Sequence, residues 1–138
     1  MKSINTILFT LSLGVMASVS STSIAHHAFS AEFDVNKPVN LDGVVVKMEW
    51  VNPHSWLHVD ITREDGTLER WRVEGGAPSA LLRRGWNRDS LPAGTKVQVE
   101  GFQARDNSPR MNARDIIFPD GRKLFIGTTG IGAAPEVE

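Results

Sequence analysis

The sequence predicts an all-β chain with one short helix, arranged as an OB-like small β-barrel of five to six strands. Three observations predict it. Runs of alternating apolar and polar residues, several of them rich in β-branched side chains, recur at residues 41–51, 55–62, 68–74, 95–102 and 110–118. Turn signals built on glycine or proline separate them, at Asn52-Pro53, Asp65-Gly66, Gly75-Gly76, Gly94 and Asp120-Gly121. A single segment reads as a helix, and it follows the third strand. Three strands, a helix and two or three further strands is the order of an OB-type Greek key. A β-sandwich carrying one helix is the competing arrangement.

The elements follow in order. Residues 41–51 form the first strand, with Gly43 marking a bulge or a bend. Alternation assigns Val44, Val46, Met48 and Trp50 to one face and Val45, Lys47, Glu49 and Val51 to the other. Pro53 breaks the strand because it fixes φ and lacks an N–H donor. In residues 55–62, Leu57, Val59 and Ile61 point to the core, and Trp56, His58, Asp60 and Thr62 point away. The Asp65-Gly66 turn returns the chain into residues 68–74, with Trp71 and Val73 inward. Pro78 suits a helix's first turn, so residues 79–84 read as helical, with Arg83 and Arg84 at the C-terminal end and Gly85 closing it. Val97 and Val99 are the inward positions of the fourth strand. The fifth covers residues 110–118, and a last short strand covers residues 122–126.

The 138 residues suit one domain: a signal peptide at 1–25, an N-terminal arm at 26–40, the barrel at 41–126 and a loose Gly/Ala-rich tail at 127–138. Met1-Lys2, an apolar run diluted by Ser and Thr, and Ser23-Ile24-Ala25 make the pattern of a secretory leader cut after Ala25. Val15-Met16-Ala17 is a second acceptable cut. The run is too short and polar for a membrane span, so the expected product is periplasmic or secreted, without a transmembrane anchor. A net charge of −1 disfavours a nucleic-acid partner, since phosphate binding asks for a basic surface. Cysteine is absent, so a metal site must draw on His, Met, carboxylate or a terminal amine.

His26-His27-Ala28-Phe29, Trp50-Val51-Asn52-Pro53-His54, Arg72-Val73-Glu74-Gly75-Gly76-Ala77-Pro78, Leu82-Arg83-Arg84-Gly85-Trp86 and Phe118-Pro119-Asp120-Gly121 together resemble a family of short exported bacterial proteins described as a domain of unknown function. The resemblance covers nearly all of the expected mature chain. It implies export and a small β-barrel, and it carries over no activity or site residue. At the level of fold the chain is also similar to periplasmic copper- and silver-binding chaperones, small OB-type barrels that use a His, two Met and a neighbouring Trp. His54, Met48 and Trp50 match part of that set; a second methionine does not, because Met111 is distant in sequence.

The chemistry concentrates in the histidines. All four fall in two groups, His26-His27 and His54 with His58. Cleavage after Ala25 would give His26 a free α-amine with a pKa of about 7.7–8.0, which a bound cation depresses further. Amine and imidazole of one residue then form a chelate, as in exported copper proteins that bind through an N-terminal His. His27, His54, His58 and Met48 are the candidates to complete the set, and copper is favoured over zinc or nickel. The plain alternative is a solvated terminus, with His54 capping its turn and His58 an exposed polar residue. Trp71 and Trp86 read as core and rim fillers, whereas Trp50, Asn52 and Trp56 could line a ligand site. No carboxylate pair demands acid–base work and no nucleophile elbow surrounds Ser55, so no catalytic residue is expected. Arg83, Arg84 and Arg88 read as a solvated basic surface. The expected function is copper binding, with a non-catalytic module for a small ligand or an envelope protein as the alternative.

Overall fold

The computed structural model describes residues 29–128 of the chain. The leader, His26, His27 and the acidic end of the tail lie outside the described residues. The fold is mostly β, with six strands and two short helical pieces. After a helical turn at residues 29–32 come β1 (Phe33–Glu49), β2 (Trp56–Thr62), β3 (Leu68–Glu74), α1 (Pro78–Arg83), β4 (Lys96–Ala104), β5 (Arg110–Ile117) and β6 (Lys123–Phe125). The sheet order is β3-β2-β1-β4-β5-β6, and β3 also pairs with β5. Hydrogen bonds therefore run in a ring through β1, β2, β3, β5 and β4. The β3–β5 join is parallel and the other pairings are antiparallel.

β1 begins at Phe33, where the sequence reading began its first strand at residue 41. Lys37-Pro38 looks like a breaker, yet the ladder absorbs it as an irregularity between Phe33 and Pro38. This part of β1 pairs with β4 alone, so the N–H that proline lacks deprives no second neighbour. Val44 is the crossover: it faces Lys96 of β4 and Asp60 of β2, and β1 then continues along β2 to Glu49. The strands close in tightly here, since a Cβ on Gly43 would lie 2.5 Å from Val59 Cγ1 and 2.7 Å from the Asp60 carbonyl.

A bulge between Val45 and Lys47 changes the phase of β1. Val45 is buried and Val44 is exposed, while Met48 and Trp50 beyond the bulge pack on the core. The unbroken alternation expected from sequence therefore fails here, because a bulge shifts every later side chain to the other face.

The core holds Val45, Leu57, Val59, Trp71, Val73, Leu81, Val97, Val99, Met111 and Ile116, with Trp86, Leu91, Phe118 and Ile126 around it. Trp71 and Trp86 are buried as expected, and each finds a partner for its indole N–H: Glu69 Oε2 at 2.9 Å and the Phe125 carbonyl at 3.1 Å. α1 opens with Pro78 in its first turn and drops Leu81 into the core. It ends where Gly85 takes φ +86°, with the Trp86 N–H returning to the Leu81 carbonyl.

A second, smaller core fixes the start of the described chain. Phe29, Phe33 and Ala104 are buried together, and the Phe29 ring meets Phe102 edge-on at 6.0 Å. The Arg105 N–H donates to the Glu32 carbonyl at 2.9 Å, and its guanidinium donates to the Ser30 carbonyl at 2.7 Å. Residues 29–33 are thus pinned over the end of β4.

Candidate functional site

The seam that closes the ring also shapes a cleft. Arg72, Val73 and Glu74 of β3 lie beside Arg110, Met111 and Asn112 of β5. Val73 and Met111 are fully buried on the core side. The alternate residues, Arg72, Glu74, Arg110 and Asn112, line a cleft of about 310 Å³. One wall is the Asn-Pro turn and the start of β2, with Pro53, His54 and Trp56. The other is the pinned segment, with Phe29, Glu32 and Phe33, and Thr128 also lines the space.

His54 is placed by the turn that precedes β2. The Asn52–Pro53 peptide is cis, and Ser55 is tied to the end of β3 through the Gly76 and Gly75 backbone at 3.0 and 2.8 Å. That brings His54 Nδ1 to 3.4 Å from the Gly75 carbonyl and 3.2 Å from Glu74 Oε1. A carbonyl only accepts, so a hydrogen bond to Gly75 requires the proton on Nδ1, and the neutral ring then keeps its lone pair on Nε2. The His54 side chain is 39% exposed and the Glu74 side chain 11%.

Burial pushes the Glu74 carboxyl above its ordinary value. The His54 ring opposes that shift, Glu32 adds to it, and Asn112 and Arg110 pull it back. Asn112 donates to Glu74 at 3.4 Å across the seam. Arg110 reaches Glu32 at 3.4 Å and lies over the Phe33 ring, tying floor to wall. The Arg72 guanidinium carbon lies over the Trp56 ring, 4.3 Å from its centroid, and the group has no carboxylate partner among the described residues.

The chain matches the model of a family of unknown function, DUF6152, over residues 14–112, more than half its length. The chain belongs to that family. No curated protein and no solved structure matches it. The matched region takes in both histidine groups and every residue lining the cleft except Thr128. Among the described residues, no helix is long and apolar enough to cross a membrane.

The residues singled out from sequence separate in space. His54 and Trp56 share the cleft. Asn52 sits exposed in the cis turn. Trp50 and Met48 pack against the core. His58, expected to be exposed, is only 9% accessible, with Nε2 3.2 Å from Glu49 Oε2; Glu49 also bonds Lys47. The strand face that points away from the core is still covered here, because β1 lays Glu49 over it. Among the described residues no group of three or more His, Asp or Glu side chains is arranged to hold a metal ion; His26 and His27 lie outside them. Sequence reasoning missed Arg72, Glu74, Arg110 and Asn112. The parity of β3 was available, since Trp71 and Val73 inward puts Arg72 and Glu74 outward. Their partners on β5 carried no such signal.

Elsewhere several charges are paired within the fold. Arg114 bonds Glu100 and Asp115 at 2.7 Å each, and Lys123 bonds Glu100 at 2.9 Å. Arg70 grips Asp60 through two bonds at 2.8 and 2.9 Å.

Proposed function

We propose that this is an exported, non-catalytic periplasmic protein that binds a transition metal ion, copper above zinc or nickel, at the mouth of the His54 cleft. The ring order β1-β2-β3-β5-β4, with α1 between β3 and β4, supports reading the scaffold as an OB-type barrel. Barrels of that type present ligands to their loops and strand ends.

One observation carries the reading: Phe29 and His54 line the same cleft. His26 stands only three residues before Phe29, and three residues of chain reach about 10 Å at most. With the leader cut after Ala25, His26 would offer amine and imidazole nitrogens within reach of His54, and His27 a further ring. His54 is prepared for the role. A metal-bound histidine usually donates its other ring N–H to a carbonyl or carboxylate, and His54 Nδ1 lies against both the Gly75 carbonyl and Glu74, where the Nδ1-protonated ring would do so. Imidazole and amine nitrogens suit Cu(II). Trp56 and Phe29 would limit water at the site. His58 and Met48 are not among the cleft-lining residues, so His26, His27 and His54 form the ligand set.

The test is calorimetric titration of Cu(II) and Cu(I) into protein that begins at His26, with electron paramagnetic resonance to count nitrogen ligands. Binding tighter than about 10 μM is expected. His54→Ala, and a chain with one glycine added before His26, should each weaken it at least tenfold. No binding at that level for either oxidation state overturns the reading.

A further inference from the structure

We propose that the cleft over the β3–β5 seam binds a small organic carboxylate with a ring or compact apolar body, and that Arg72 recognises its carboxylate. This does not rest on the metal reading: the two share the walls Phe29 and Trp56, but the recognising group is Arg72, which is not in the metal-ligand set, and no ion is needed.

Three observations carry it. First, Arg72 is a cation in a cleft without an answering carboxylate among the described residues. The other acids and bases there are engaged: Glu74 with His54 and Asn112, Arg110 with Glu32. Second, the Arg72 guanidinium carbon lies over the Trp56 ring, 4.3 Å from its centroid. A contact with an aromatic ring uses none of the fork's N–H donors toward a carboxylate, and a guanidinium fork matches a carboxylate with two parallel N–H···O bonds. Arg110 is the register partner of Arg72 on β5 and lines the same space. Arg110 already has Glu32 and Asp106 as ion partners, whereas Arg72 has none among the described residues. Third, the walls are apolar: Phe29, Phe33, Pro53 and Trp56. A cleft of about 310 Å³ is at the small end of ligand sites and takes about one ring. A charged head on Arg72 with an apolar body against the phenylalanines satisfies all three.

The experiment titrates benzoate into metal-free protein, following Trp fluorescence and amide NMR shifts, with benzamide as the neutral isostere. Benzoate should bind with Kd below about 1 mM. Shifts should centre on Trp56, Arg72 and Phe33. Benzamide should bind at least tenfold more weakly. Arg72→Gln, at an exposed position, should weaken benzoate at least tenfold with an unchanged circular dichroism spectrum. No saturable response to benzoate overturns the proposal. So does equal binding of benzamide by the unaltered protein, a result that requires no variant to fold. Failure of copper titration leaves these outcomes unaffected, and their failure leaves copper binding standing.

Discussion

His54 Nδ1 lies 3.2 Å from Glu74 Oε1, a carboxylate oxygen that is mostly buried at the end of β3. The pair offsets only part of the cost of burying the acid, so Glu74 holds its proton more tightly in the folded chain than in the unfolded one. Such a group adds stability below its unfolded value, near 4.5, and that contribution is lost as pH rises through the raised folded value. Glu74→Gln keeps an amide oxygen for Asn112 and removes the charge. It should raise the melting temperature by a few degrees at pH 7, and the gain should vanish as the pH falls below about 4.5. Thermal melts across that range check it.

Glu100 behaves oppositely. Lys123 and Arg114 hold its carboxyl below the ordinary 4.5 despite partial burial. Its contribution is complete above the unfolded value and is lost as pH falls through the depressed folded one. Glu100→Gln should cost about 1 kcal/mol at pH 7, since both cationic partners are substantially solvated. It should also flatten the acid limb of the stability profile. Urea melts at pH 7 and at acid pH measure both effects.

Gly43 is fixed by its neighbours. A methyl there would press on Val59 Cγ1 at 2.5 Å, on Ile61 Cδ1 at 2.6 Å and on the Asp60 carbonyl at 2.7 Å. The carbonyl belongs to the β2 ladder and cannot rotate away. Gly43→Ala should destabilise the fold by about 1–3 kcal/mol through overpacking. A fall in the urea midpoint with an unchanged m-value is the expected signature.

Trp86 ties the segment after α1 to β6 through its 3.1 Å bond to the Phe125 carbonyl. Trp86→Phe keeps a ring in the core and leaves that carbonyl without its indole donor. A loss of about 1–3 kcal/mol is expected. Equilibrium unfolding followed by the remaining tryptophans checks it.

The succession of strands and helix along the chain was legible because several turns announce themselves. Asp65-Gly66 set the bounds of β3, and Pro78 and Gly85 framed α1 to within a residue. The bulge in β1 was not legible. Val44, Val45 and Val46 are all apolar, so alternation carries no phase through them, and pairing with β2 decides which one turns inward. The early start of β1 was hidden by Lys37-Pro38, a breaker that the one-sided ladder tolerates. His54 and Trp56 were found because they are chemically distinctive and close in sequence. The rest of the cleft was not found, because Glu74 meets Asn112, 38 residues along the chain, only once the ring has closed.

Arg72 through Glu74 against Arg110 through Asn112 is the shortest ladder in the ring. Its outward side chains are the cleft floor. A molecule resting on both Arg72 and Arg110 therefore staples two strands together as it binds, and occupancy and closure become thermodynamically linked. The Arg72 amide, which donates to the Pro109 carbonyl at 3.0 Å, should then exchange its hydrogen with solvent more slowly in the loaded protein. Amides at the far crossover, around Val44, should be slowed much less.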